Sequence, residues 1–166
     1  MMEARFFIVG VIVGVLATVT MDVVALIAHR LGMASHRPRR TGPDLIGRWV
    51  GYLLQGKFRH TDILQTPPLR GELLLGFAAH YSIGIVLTLG YLGLFAVAHA
   101  TPTALSAVLY GMATTVLPWF IMFPSQGMGW LGRDAPGDVH LPRASLFNHI
   151  VFGLGIALWT AVIRPI

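Results

Sequence analysis

Three ionisable side chains interrupt otherwise apolar runs: Asp22 within FFIVGVIVGVLATVTMDVVALIA, His80 between Gly71 and Ala98, and His149 between Ala144 and Ile163. A carboxylate and two imidazoles suit several divalent transition metals, so Asp22, His80 and His149 form one candidate metal set. His80 and His149 alone could be the axial ligands of a b-type haem. Each has a glycine four residues on, Gly84 and Gly153, which would leave room for a macrocycle. Proton relay or cation binding in transport is a third use of such residues. The fourth reading is structural: Asp22 hydrogen-bonds a histidine or threonine on a neighbouring helix and fixes the packing. A charge left unpaired at the bilayer centre costs about 3 kcal/mol or more on insertion scales. No recognised ligand spacing such as H-E-x-x-H supports the metal reading.

These residues need helices to position them. A hydrocarbon core of about 30 Å takes roughly 20 apolar residues of helix. Four stretches meet that length, at about residues 6–28, 71–98, 103–123 and 144–163. The composition agrees, with 55% hydrophobic and 11% charged residues and a mean hydropathy of +0.69. An ordinary soluble domain carries about 25% charged residues, so a soluble globule is excluded. β-barrel strands alternate over about 10 residues, and no segment does so. The expectation is an all-α integral membrane protein of one domain (1–166), arranged as two parallel helical hairpins, 1–98 and 103–166. The first run is longer than a signal-peptide core of about 7–15 residues and has no A-x-A site, so it reads as a retained span. The absence of cysteine excludes disulfides, Fe–S ligation and thiol chemistry.

At about 1.5 Å per residue, Asp22, His149 and Pro118 lie roughly 8–9 Å from the arginine-rich ends of their helices, and His80 roughly 13 Å. Small residues share their faces at steps of four: Gly10, Gly14 and Thr18 before Asp22, Gly76 and Gly84 around His80, and Gly153 after His149. Such stripes allow close approach of transmembrane backbones, which turns the polar residues toward the bundle interior. Pro118 should kink the third helix. The pairs Ala17-Thr18 with Ala113-Thr114, and His80-x-x-x-Gly84 with His149-x-x-x-Gly153, suggest an internal repeat.

Arginine sets the orientation. The segment between the first two spans holds Arg30, Arg37, Arg39, Arg40, Arg48, Lys57, Arg59 and Arg70, and that between the last two holds Arg133 and Arg143. Only Arg5 and Arg164 fall on the other side. The positive-inside rule therefore puts both loops in the cytoplasm and both termini outside. Within the long loop, about residues 43–55 read as a short amphipathic helix in the headgroup plane. Leu45, Ile46, Trp49, Val50 and Leu53 form its apolar face, with Asp44, Arg48, Gly51 and Gln55 opposite. Arg37, Arg39, Arg40, Arg48 and Trp49 are then membrane-surface residues whose partners are anionic lipid headgroups. On this reading the basic excess (net charge +5) needs no nucleic acid, Gly47-x-x-x-Gly51 has no packing role, and Glu72 is a favourable charge at a helix N-terminus.

Enzyme chemistry finds little support. Gly127-Met-Gly-Trp-Leu-Gly132 matches G-x-G-x-x-G, but a dinucleotide site needs a preceding strand and a following helix. No G-x-S-x-G occurs, and Asp134 and Asp138 stand in a glycine-rich loop. No catalytic residue is assigned.

The segments ATVTMDVVAL, GRWVGYLLQGKFRH, GELLLGFAAHYSIGI and FNHIVFGLGIALW together resemble a family of small bacterial inner-membrane proteins, the domain of unknown function 2938. The resemblance runs from about Ala17 to Trp159 and implies a multi-pass membrane protein with Asp22, Gly47-Arg48-Trp49, Arg59-His60, His80 and His149 at motif positions. It implies no activity. The expected function is that of a multi-pass membrane protein whose buried Asp/His layer packs the bundle or binds a ligand or partner, in a homo-oligomer or membrane complex. The alternatives are a haem- or metal-binding redox subunit and proton- or cation-coupled transport as an oligomer.

Overall fold

The computed structural model describes residues 2–32, 42–135 and 141–163. Arg37, Arg39 and Arg40, with His36, Asp138, His140 and Arg164, lie outside the described residues. Helices α1 (Met2–Arg30), α2 (Pro43–Leu53) and α3 (Glu72–Val97) are followed by α4 (Ala104–Ala113), a π-helical turn (Pro118–Met122), α5 (Phe123–Ser125), a 3-10 turn (Trp130–Gly132) and α6 (Leu141–Ile163). Among the described residues, Glu3–Arg30, Glu72–Val97, Ala104–Ser125 and Leu141–Ile163 are long and apolar enough to cross a membrane, as expected from the four runs. The protein is an all-α, multi-pass membrane protein.

Its residues gather into two compact units, each drawing on both halves of the chain: 1–27 with 81–115 and 146–166, and 28–80 with 116–145.

The first unit is a ring of helices in contact. A Cβ at Gly14 of α1 would stand 2.7 Å from the Ile85 Cα of α3, and one at Gly155 of α6 would stand 2.9 Å from the Ala17 Cα. Gly153 of α6 faces the Ala107 carbonyl of α4 at 2.5 Å in the same sense. Tyr91 and Tyr110 join α3 to α4, accepted by the Thr103 carbonyl (3.3 Å) and the Leu87 carbonyl (2.8 Å) respectively. Small residues thus set the contacts, because apolar side chains gain nothing by leaving a lipid environment that is equally apolar. Ala17, Tyr91, Leu92, Ala107, Phe152 and Ile156 fill the centre. The Thr103 hydroxyl and Ser106 close a reciprocal cap on the start of α4.

In the second unit α2 lies directly on the first turns of α3. Gly47 abuts the Glu72 carbonyl and Gly76 abuts the Pro43 carbonyl, so closely that a Cβ at either would overlap backbone. Leu45, Ile63, Phe123, Met128 and Leu141 form this unit's apolar core, with Trp49 and Trp119 against it. The loop 58–66 runs beside 125–128, tied by His60 N–H to the Ser125 carbonyl (2.8 Å) and Ile63 N–H to the Gln126 carbonyl (3.0 Å). Gly127, Gly129 and Gly132 all have positive φ. The G-x-G-x-x-G run is therefore a sequence of tight turns under this loop, with no strand among the described residues.

The third span breaks where Pro118 was expected to kink it. Pro118 has no N–H for the Thr114 carbonyl. The chain tightens first, with Thr115 N–H on the Met112 carbonyl (3.1 Å), then widens into the π turn.

Candidate functional site

Asp22 and His149, both in the first unit, take hydroxyl partners from neighbouring helices. Tyr81 Oη donates to Asp22 Oδ2 at 3.1 Å, joining α3 to α1. His149 Nδ1 and Thr114 Oγ1 are 2.7 Å apart, joining α6 to the end of α4. The Thr114 hydroxyl also lies 2.6 Å from the Gly111 carbonyl, which can take its proton and leave the oxygen to accept from His149 Nδ1–H. His80 belongs to the second unit. All three intramembrane residues are half-buried rather than enclosed. Among the described residues, no three His, Asp or Glu side chains are grouped to hold a metal.

A second polar arrangement lies in the second unit, around two residues given other roles by the sequence. Arg48 Nε and Nη2 donate to Glu72 Oε2 and Oε1 at 2.9 and 2.8 Å, a bidentate pair. Nη1 reaches the carbonyls of Ile63 (3.2 Å) and Thr66 (3.0 Å). Glu72 Oε2 also accepts from Leu69 N–H at 2.8 Å. The pair's side chains are only 11% and 14% exposed. Hydrogen bonding to Glu72 raises the Arg48 pKa further, against desolvation. Four of the five guanidinium N–H groups thus have an internal acceptor.

This corrects the expected faces of α2. The side that carries Arg48 and Gly51 is buried, along with Leu45 and Gly47, whereas Leu53 and Leu54 are exposed. Gly47 and Gly51, set aside in the sequence, are the contact residues, with Leu69 beneath Gly51. Glu72 does stand in the first turn of its helix, as read from sequence, but its main partner is Arg48. Trp49 remains half-buried, donating Nε1–H to the Phe58 carbonyl at 3.0 Å with its ring 5.9 Å from that of Phe58. One sequence signal could have found this arrangement: a single arginine flanked at −1 and +3 by glycines, with a lone glutamate at the head of the next helix.

His60 completes the arrangement. The Thr66 hydroxyl donates to the Asp62 carbonyl at 2.9 Å, which uses its single proton. At 3.1 Å from that oxygen, His60 Nδ1 is therefore the donor, and the imidazole carries its proton there. Nε2 is left as a lone pair, buried and without a hydrogen-bond partner among the described residues. Burial, then the nearby Lys57 charge, lowers the His60 pKa, which keeps the ring neutral. The Tyr52 ring lies edge-on to it at 5.2 Å, with Lys57 Nζ 5.4 Å from the Tyr52 centroid.

Searches among curated proteins and among solved structures give no match to this chain. Residues 11–163 match the family described as "Protein of unknown function (DUF2938)", and the chain belongs to that family.

Proposed function

We propose that this chain is a non-enzymatic, multi-pass protein of the bacterial inner membrane whose intramembrane polar residues hold the bundle together, leaving recognition of a ligand or partner to the segments outside the spans. The observation that carries this reading is that Asp22 and His149 each engage a hydroxyl on a neighbouring helix. The arginine distribution favours termini outside and the basic loop in the cytoplasm, and it favours anionic headgroups near the exposed Lys57 and Arg59.

The test is thermal unfolding of the purified protein in mild detergent. Asp22→Leu and Thr114→Val should each lower Tm, by the few degrees that correspond to about 1–2 kcal/mol in a chain of this size. Unchanged melting in both would overturn the packing role. Visible absorption before and after dithionite, with metal analysis on the same sample, decides the redox alternative. A Soret band lost in His80→Ala and His149→Ala would replace the present reading with a haem subunit.

One observation favours a second reading, proton- or cation-coupled transport by an oligomer. The third span is discontinuous between Ala113 and Pro118, beside His149, and broken helices are where transporters place their binding sites. Transport predicts a pH-dependent flux in proteoliposomes that disappears in Asp22→Asn.

A further inference from the structure

The turn that ends α2 leaves large apolar side chains uncovered beside two cations. Leu53, Leu54 and Phe58 are 39%, 76% and 43% exposed, and every residue from 53 to 59 is exposed. Lys57 and Arg59 lie in this stretch, and no Asp or Glu occurs between Asp44 and Asp62. Asp62 itself accepts from Leu64 N–H at 2.8 Å and from the Gln65 amide at 2.9 Å. The exposed stretch is therefore apolar and positive, with no carboxylate of its own.

The turn has a fixed construction. Gly56 has a φ of +84°. Its N–H bonds to the Leu53 carbonyl at 2.9 Å, and Lys57 N–H reaches back to the Tyr52 carbonyl at 2.9 Å. Two such bonds around a left-handed glycine are a Schellman motif, which satisfies the last carbonyls of a helix. Trp49 Nε1–H then holds the Phe58 carbonyl, and Lys57 Nζ sits 5.4 Å from the Tyr52 ring centroid. A segment already ordered in this way loses little conformational freedom when it binds.

Both flanks of the turn are tied to span ends. On one side Gly47 is pressed against the Glu72 carbonyl, at the start of the span Glu72–Val97. On the other, His60 N–H bonds to the carbonyl of Ser125, the last residue of the span Ala104–Ser125. The headgroups of a bilayer lie at such ends. A leaflet offers acyl chains beside anionic phosphates, which matches apolar side chains interleaved with cations. Arg48, expected at the headgroups, spends four of its N–H groups inside the protein, and the exposed Lys57 and Arg59 take that part.

We propose that residues 53–59 form a wedge for anionic phospholipid. Leu53, Leu54 and Phe58 enter the leaflet beside the start of α3, and Lys57 and Arg59 bind the phosphates of anionic lipids there. This rests on the reading of the basic loop as lying against anionic headgroups, and it names the residues that do so. Because the spans already hold the protein in the membrane, the wedge makes the seating of the loop depend on lipid charge.

The lack of cysteine allows a single probe in the full chain. Leu54→Cys carrying a nitrobenzoxadiazole label is placed in nanodiscs of phosphatidylcholine, alone or mixed with phosphatidylglycerol. The label should emit to the blue of the same label on cysteine in buffer, and further so with phosphatidylglycerol. A doxyl group near the headgroup end of an acyl chain should quench it more when carried on phosphatidylglycerol than on phosphatidylcholine. Lys57→Gln and Arg59→Gln should each cut that preference by up to roughly fivefold, the attraction of one cation to an anionic surface. Salt at about 1 M, where the Debye length is about 3 Å, should abolish it. Emission at the buffer value in both lipids would overturn the proposal. So would a blue-shifted label that no doxyl lipid quenches, the sign of a protein surface covering the turn, or equal quenching by the two lipids in the native sequence around the label. Phe58→Cys supplies a second probe if Leu54→Cys does not fold, with Tm reporting the fold of each labelled protein. Nanodiscs expose both leaflets, so the result is independent of which side the loop faces. The melting of Asp22 and Thr114 variants reads the spans, so either reading can fail without the other.

Discussion

At the scale of the residue, the outcome for Arg48 depends on what surrounds it. Its guanidinium is held by two carboxylate oxygens and two carbonyls. Removing one partner from such a pair leaves the other charge buried, at a cost of about 3 kcal/mol or more. Arg48→Met and Glu72→Gln should therefore each lower Tm markedly in detergent. The double variant Arg48→Met/Glu72→Met should recover part of the loss, because it leaves no unpaired charge. A double variant as unstable as the sum of the single ones would show that the two side chains act independently. His60 adds a pH dependence. Its pKa in the folded protein lies below its ordinary 6.5, so the unfolded chain takes up the proton first. The associated stability is complete above about 6.5 and is lost as pH falls through and below that value. Melting between pH 8 and pH 5 should fall in the native protein, and His60→Gln should flatten that slope.

At the scale of the element, the short helix α2 is held by absence of side chains. A Cβ at Gly47 would overlap the Glu72 carbonyl, which cannot move without unwinding the start of α3. A Cβ at Gly51 would stand 2.5 Å from Leu69 Cδ1, the far end of a side chain that can rotate away. Gly47→Ala should therefore release α2, seen as faster proteolysis within the loop 43–70, while Gly51→Ala should be close to native. Equal sensitivity of the two variants would contradict this seating of α2 on α3. The third span behaves differently, because its irregularity is written in the chain. Pro118 and Pro124 lack N–H groups, and the π turn between them carries Phe123 N–H to the Pro118 carbonyl. The hydroxyls of Thr115 and Ser125 turn back onto the Met112 and Met122 carbonyls at 2.6 and 2.8 Å, which satisfies acceptors on either side of the turn.

At the scale of the whole molecule, the lack of cysteine makes topology directly measurable. On the proposed orientation, a single Lys57→Cys, at an exposed position after α2, should react with a membrane-impermeant maleimide only after the membrane is opened. Labelling of intact spheroplasts would reverse the proposed orientation. The four spans, their lengths and the proline break were legible in the sequence because each depends on composition summed over a segment of about 20 residues. The stripes Gly10/Gly14 and Gly153 were legible as contact faces for the same reason, since a four-residue spacing places residues on one helix face whatever the partner. The partner itself was not legible. Spacing along a chain cannot say that Thr114 receives His149, or that Arg48 reaches Glu72 across 24 positions. Nor could periodicity find the buried face of α2, because an arginine reads as solvent-facing until a carboxylate and two carbonyls are brought to it. The sequence by itself therefore determined an all-α membrane protein, its spans and the glycines by which helices approach. Only the tertiary structure decided which polar groups are satisfied and which, like His60 Nε2, have no partner among the described residues, since hydrogen bonding depends on distances of about 3 Å between segments remote in the chain.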